Sequence, residues 1–127
     1  MIKVVKFGGS SLASGESFAK VKRIIDADKS RAIVVVSAPG KRFSGDMKVT
    51  DLLYLLHAHI KFNAPFDDIY EKIKERYLEI KASCGLKQDI ESELEAVYAK
   101  LGKKTSIDYI ASRGEYLNAR IMAEYLG

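Results

Sequence analysis

The sequence predicts an α/β fold with an open, mainly parallel sheet and an inserted helical hairpin. Strand, helix and strand follow one another between Ile2 and Val36, which predicts a βαβ unit with a right-handed crossover. Beyond Thr50, apolar residues recur at helical spacing as far as Tyr125. The chain has 127 residues, the size of a single domain that buries a sizeable core.

The first strand is predicted over Ile2–Phe7, where mostly β-branched and apolar residues run up to a pair of glycines. Residues 10–15 are small and polar, which predicts a loop. From Ser17 the apolar positions follow helical spacing, so a helix is predicted as far as about Asp28.

The second strand is predicted over residues 32–36, a continuous apolar run that ends at Ser37 and Pro39. Such a run is typical of a strand buried on both faces. A polar loop with basic residues follows over 39–48. Two strands are too few for a stable open sheet, so we expect further strands of the protein outside these residues.

The remaining elements are predicted to be helices. One begins after Thr50 and is rich in leucine. Two apolar stripes, one after Pro65 and one after Gly85, predict an antiparallel helical hairpin. Alternating charges over residues 70–76 indicate a solvated face of its first helix. A last helix is predicted over residues 107–125.

Composition limits the class of function. The 21 Lys and Arg residues exceed the 17 Asp and Glu residues by a net charge of +4, too little to indicate nucleic-acid binding. The lone cysteine, Cys84, excludes an intrachain disulfide. No apolar run is long enough for a membrane span and no signal peptide is visible, so we expect a cytoplasmic protein. His57 and His59 are spaced to face different sides of a helix, and we predict no metal-ligating residues.

The strongest motif is Lys-Phe-Gly-Gly-Ser-Ser at residues 6–11. It places Lys6 and Phe7 at the carboxyl end of a strand, where ligands bind in open α/β sheets. Gly8, Gly9 and Ser10 then offer a turn whose backbone N–H groups suit a phosphate. The spacing is not that of a Walker A loop. An ordinary strand-to-helix turn with a surface lysine explains the local pattern equally well.

Two further patterns contain candidate residues. Ser37 ends the second strand, and Thr50 opens a helix; the local pattern favours a helix N-cap for Thr50 over a ligand contact. Gly114 interrupts a helical pattern at a cost of about 1 kcal/mol, which indicates close approach of a ligand or of another helix. The following Glu115 is, on local grounds, more typical of a solvated helix face than of a site.

These three motifs, in this order, resemble the signatures of the aspartokinases within the amino acid kinase superfamily. The resemblance implies that Lys6 is catalytic and that Lys6, Phe7, Gly8, Gly9 and Ser10 bind the phosphates of ATP with Mg²⁺. It also implies a substrate-binding role for three residues, Ser37, Thr50 and Glu115, the last of which would bind the substrate ammonium group.

The same resemblance implies a three-layer αβα fold with a helical insertion at about residues 62–103. Residues 1–127 would form the substrate-side part of the domain, and the nucleotide-binding half and regulatory domains would lie outside them. The activity implied is ATP-dependent phosphorylation of the β-carboxylate of L-aspartate, the first step of lysine, threonine and methionine biosynthesis. We expect a homo-oligomer in the full-length protein, no membrane or nucleic-acid partner, and little turnover from these residues alone.

Two alternatives remain open. Another member of the amino acid kinase superfamily, acting on glutamate, acetylglutamate or a nucleotide, is disfavoured by the Phe-Gly-Gly-Ser-Ser and Arg-Gly-Glu sequences at residues 7–11 and 113–115. A non-catalytic module that binds a small ligand is compatible with the short length.

Overall fold

The computed structural model describes residues 1–127. Every predicted strand and helix is present, in the predicted order, and a short 3₁₀ turn follows the first strand at Gly9–Leu12. The elements are β1 (Lys3–Phe7), α1 (Gly15–Asp26), β2 (Arg31–Val36), α2 (Val49–Lys61), α3 (Asp67–Ser83), α4 (Ile90–Ala99) and α5 (Ile107–Leu126). No helix combines the length and the apolar character needed to cross a bilayer.

The two strands pair in parallel, with Phe7 beside Val36, as the βαβ prediction requires. On one face of the sheet, Val34 and Val36 lie against α5. On the other face Val4, Ile33 and Val35 are 63%, 51% and 43% exposed. The prediction that the second strand is buried on both faces is therefore wrong, because the helices of this chain cover only one face.

The helices form the core together with the covered face of the sheet. Phe18 of α1 and Leu56 of α2 are almost completely buried, and so are Tyr77 of α3 and Leu117 of α5. The ring of Phe18 also meets that of Tyr125 edge-on, with centroids 6.2 Å apart, so α1 and α5 are in contact. This packing holds α5 beside the ends of the strands.

The helices α3 and α4 form the predicted antiparallel hairpin. Lys81 near the end of α3 pairs with Glu91 at the start of α4, with 2.9 Å between Nζ and Oε1. At the opposite end the Tyr98 hydroxyl donates to Asp67 at 2.6 Å. At each of these contacts the end of one helix lies beside the start of the other, so the two helices are antiparallel.

One residue of the hairpin contradicts the prediction of a solvated face over residues 70–76. Glu71, Lys72 and Glu75 are exposed as predicted, but Arg76 is only 4% exposed. Its aliphatic stem allows burial, and its guanidinium N–H groups are directed at backbone carbonyls. Alternation of charge along a helix does not distinguish such an arginine from a solvated one.

Candidate active site

A cleft of about 430 Å³ lies beyond the carboxyl ends of the two parallel strands, where α/β proteins bind their ligands. It is bounded by the turn after β1, the loop after β2, the first turn of α2 and the middle of α5. Larger depressions exist elsewhere on the surface, but none of the predicted site residues lines them. The lining residues are Gly9, Ser10, Ser37, Ala38, Pro39, Gly40, Lys41, Lys48, Thr50 and Glu115.

The turn after β1 packs directly against the loop after β2. The backbone N–H of Gly40 donates to the carbonyl oxygen of Gly9 at 2.8 Å. A Cβ atom on Gly9 would lie 2.9 Å from the carbonyl oxygen of Ala38, so this position requires glycine. Gly8 is exposed, and a Cβ atom there would contact nothing, so the approach to this backbone is open.

The backbone of Ser37 is held by two hydrogen bonds. Its N–H donates to the carbonyl oxygen of Phe7 at 3.1 Å. Its carbonyl oxygen accepts from the side-chain amide of Asn118 on α5 at 2.7 Å. Asn118 is completely buried, and its Oδ1 has no partner. Asn118 was not among the residues predicted from the sequence, although a polar residue beside the apolar Leu117 is a detectable signal.

Thr50 is not the helix N-cap that its local sequence favours. The cap position is Lys48, whose side chain makes no capping hydrogen bond, and Thr50 lies inside the first turn of α2. The N–H of Val49 donates to the carbonyl oxygen of Pro39 at 3.0 Å, which fixes the start of this helix beside the loop after β2. The side chain of Thr50 is thus left to line the cleft.

Gly114 allows α5 to approach the end of β2 and helix α2. A Cβ atom on Gly114 would lie 2.9 Å from Cβ of Ala38 and 3.0 Å from Cδ1 of Leu53. The close approach predicted at this glycine is therefore to the protein itself. The approach places the next residue, Glu115, at the cleft, with its side chain exposed and without an ion-pair partner.

The buried Tyr77 supports the same part of α5. Its hydroxyl donates to the carbonyl oxygen of Gly114 at 2.7 Å. Complete burial raises the pKa of the Tyr77 phenol well above its ordinary value, because the charged form would lose its hydration. The phenol is a neutral donor at physiological pH, and it holds the backbone next to Glu115.

Three of the predicted residues do not line the cleft. Lys6 is exposed on the uncovered face of the sheet, in register with Val35 and one residue before the end of β1. Phe7 is half-buried and packs against the core. Gly8 precedes the 3₁₀ turn without lining the cleft. The structure thus brings together Gly9, Ser10, Ser37, Thr50 and Glu115.

Two lysines of the loop after β2, Lys41 and Lys48, also line the cleft. They were not singled out from the sequence, where the basic character of this loop was the available signal. Together with Glu115 they give the cleft two cations and one carboxylate, which suits a ligand with an ammonium group and negatively charged groups. No group of three or more His, Cys, Asp or Glu side chains is placed to hold a metal ion.

The chain is similar to known proteins of one family. Residues 1–127 match the model of the amino acid kinase family. The chain is 39% identical to aspartokinase 3 of Bacillus subtilis over 98% of its own length. It superposes with a TM-score of 0.93 on the crystal structure of Clostridium acetobutylicum aspartate kinase, at 52% identity over 97% of the chain.

A more distant structural relative is E. coli aspartokinase III, solved in complex with aspartate and ADP. Its TM-score is 0.77, at 26% identity over 99% of the chain. The chain spans less than a third of the length of these relatives: 29% of the Bacillus protein, 28% of the Clostridium structure and 29% of the E. coli structure.

Proposed function

We propose that this chain, which belongs to the amino acid kinase family, is the aspartate-binding part of an aspartate kinase. The reaction would be ATP-dependent phosphorylation of the β-carboxylate of aspartate to give 4-phospho-aspartate. The observation that supports this most is the single cleft that gathers Ser10, Ser37, Thr50 and Glu115 from four separate segments. Two relatives, at 52% and 39% identity, are both aspartokinases.

Aspartate would bind with its ammonium group at Glu115, whose exposed carboxylate has no ion-pair partner within the chain. A charge-assisted hydrogen bond of this kind is roughly twice as strong as a neutral one. The hydroxyls of Ser37 and Thr50 would donate to the substrate carboxylates. Lys41 and Lys48 place positive charge at the same cleft, which favours an acidic amino acid over a neutral one.

The phosphates of ATP would bind at the turn after β1. Backbone N–H groups around Gly8, Gly9 and Ser10 would bind the phosphates, as in other glycine-containing turns, and Gly9 and Ser10 line the cleft. Lys6 lies three residues before Gly9 on the open face of the sheet. We assign its ammonium group to the transferring phosphate. Phe7 packs into the core and would position this turn rather than touch the nucleotide.

The chemistry requires positioning more than proton transfer. The β-carboxylate of aspartate has an ordinary pKa of about 3.9, so it is ionised at neutral pH and needs no general base. One carboxylate oxygen forms a bond to the γ-phosphorus while the bond to the β,γ-bridging oxygen breaks, and ADP leaves with that electron pair. Lys6 would offset the charge that builds on the transferring group.

The residues that line the cleft are compatible with Mg²⁺ that binds together with the nucleotide. The cleft has one carboxylate, too few for a protein cage, and Mg²⁺ is commonly held by substrate phosphates with few protein ligands. Mg²⁺ that binds with the nucleotide would neutralise part of the phosphate charge. We further expect a cytoplasmic homo-oligomer whose product enters lysine, threonine and methionine biosynthesis.

The function is tested by trapping the product of the full-length protein. Incubation with ATP, aspartate and hydroxylamine should convert the acyl phosphate into a hydroxamate that is measured by its colour with iron. Glutamate and acetylglutamate serve as alternative acceptors in parallel. A hydroxamate from either of these, but not from aspartate, would contradict the assignment, and no hydroxamate from any acceptor would indicate a binding module.

A further inference from the structure

A buried arginine of the α3–α4 hairpin contacts the loop after β2 and the residue that follows the turn after β1. Nη1 of Arg76 donates to the carbonyl oxygen of Met47 at 2.8 Å. Nη2 donates to the carbonyl oxygen of Gly40 and, at 3.4 Å, to that of Ala13. Ala13 follows the turn after β1, whereas Gly40 and Met47 lie near the two ends of the loop after β2. One guanidinium group therefore joins the two segments.

The loop after β2 is closed by its own ion pair. Nε of Arg42 donates to Oδ2 of Asp46 at 2.7 Å, and Nη2 of Arg42 donates to Oδ1 at 3.1 Å. The hydrogen-bonded Arg42 guanidinium holds the pKa of Asp46 well below its ordinary value, so the carboxylate stays charged. Asp46 also lies 3.5 Å from Nη1 of Arg76, and Arg42 reaches Glu79 of α3 at 3.0 Å. Arg42 and Asp46 thus each contact a charged side chain of α3.

This loop forms much of the cleft wall. Gly40 donates to Gly9 of the turn that we assign to the phosphates, and Lys41 and Lys48 line the cleft beside Thr50. Arg76 itself does not line the cleft. Any effect of Arg76 on substrate must therefore act through the backbone that it holds.

Burial of the Arg76 guanidinium costs free energy of hydration, which indicates that its hydrogen bonds to the two segments offset this cost. Burial lowers the pKa of its guanidinium, because the charged form loses hydration, and Nε has no partner. Replacing buried charged groups by hydrophobic residues of similar volume is often neutral or stabilising in proteins. Only the planar, multiply donating guanidinium reaches several carbonyls at once, which a lysine ammonium does not do in the same geometry.

We infer that Arg76 is a positioning residue that sets the distance between the phosphate-binding turn and the loop after β2, and thereby the affinity for aspartate. The inference rests on the proposed function, because it assigns aspartate to this cleft. It predicts that loss of the guanidinium weakens aspartate binding without removing any group that touches substrate.

The test compares Arg76→Met, Arg76→Lys and Ile73→Ala in the full-length protein. Ile73 is 3% exposed and lies on the same helix, so Ile73→Ala reduces buried packing and removes no side-chain hydrogen bond to the loops. For Arg76→Met we expect the KM for aspartate to rise about tenfold while kcat falls by less than about threefold. Arg76→Lys should give an intermediate KM. Ile73→Ala should lower the Tm and leave the KM unchanged.

Hydrogen exchange gives a second readout that does not depend on activity. Amides of residues 40–48 should exchange faster in Arg76→Met than in Ile73→Ala. Equal KM values and equal exchange in these two variants would overturn the inference. If Arg76→Met does not fold, the same comparison with Arg76→Lys decides the matter.

Failure of the proposed function is separable from failure of this inference. A wild-type protein that forms no aspartyl hydroxamate contradicts the function. Exchange in residues 40–48 still shows whether Arg76 holds the loop.

Discussion

The backbone N–H of Gly40 donates to the carbonyl oxygen of Gly9 at 2.8 Å, and a Cβ atom on Gly40 would lie 2.5 Å from the carbonyl carbon of Gly9. The contact between the two site loops thus depends on the absence of a side chain at Gly40. Both loops belong to the cleft, so their separation affects stability and binding together.

Gly40→Ala should force these loops apart. Overpacking of this kind costs about 1–3 kcal/mol, and we expect a matching fall in Tm together with a higher KM for aspartate. Gly45→Ala in the same loop is the control, because its Cβ atom would meet only the ring of Phe43, at 3.8 Å. Thermal denaturation and steady-state kinetics measure both effects. Equal Tm values and equal KM values for the two variants would show that the loops can separate without loss of stability or of aspartate binding.

Lys6→Met should lower kcat about a hundredfold, comparable to the loss of one oxyanion-type donor. The reason is that Lys6 is assigned to the charge of the transferring phosphate, while its exposed position makes the stability change small. Lys3→Met is the matched control on the same strand, since Lys3 is exposed and pairs with Asp28 at 2.8 Å. Turnover is measured by the hydroxamate assay. A Lys6→Met protein with near-normal turnover would contradict the assigned role.

Glu115→Gln should raise the KM for aspartate by about 10- to 100-fold, the equivalent of one hydrogen bond to a charged group. The variant keeps the shape of the side chain and removes the charge that would attract the substrate ammonium group. Glu95→Gln, at an exposed position of α4, is the control. Kinetics with each substrate varied in turn provide the measurement. A change confined to the KM for ATP would show that Glu115 faces the nucleotide instead.

Tyr77→Phe should destabilise the protein by about 1 kcal/mol near pH 8, because the carbonyl of Gly114 loses a hydrogen bond. Burial raises the pKa of Tyr77 in the folded state. The stability that depends on its proton is therefore complete below the ordinary pKa of about 10 and is lost as pH rises beyond it. Since phenylalanine does not titrate, the two proteins should become more similar above about pH 10.

Denaturation of wild type and Tyr77→Phe in the full-length protein, measured across this pH range, checks the prediction. A stability difference that stays constant through the alkaline range would show that Tyr77 reaches water and ionises in the folded state.

The elements of the fold were predictable because each has a local signal. Apolar runs ending in glycine or proline predicted both strands, and helical periodicity predicted all five helices. Exposure was not predictable in the same way. Ile33 and Val35 look like core residues, but whether they are covered depends on residues that are distant in the sequence.

The candidate site was predictable where a motif marks the backbone. Gly9 indicated a turn and Gly114 a close approach, and both occur, the approach at Gly114 being to protein atoms. Thr50 was misjudged locally because the helix begins two residues earlier than a threonine cap would require. Arg76 was missed because its partners are backbone carbonyls up to 63 positions away, which leave no side-chain pattern in the sequence.

The contacts of Arg76 also define which changes the loop after β2 tolerates. Its acceptors at Gly40 and Met47 are main-chain oxygens, which every amino acid supplies. The spacing of the two carbonyls along the chain is therefore more tightly constrained than the identity of an exposed residue such as Ser44. Insertions or deletions within this segment should be rarer among functional variants than substitutions, and grafted loops should keep its residue count.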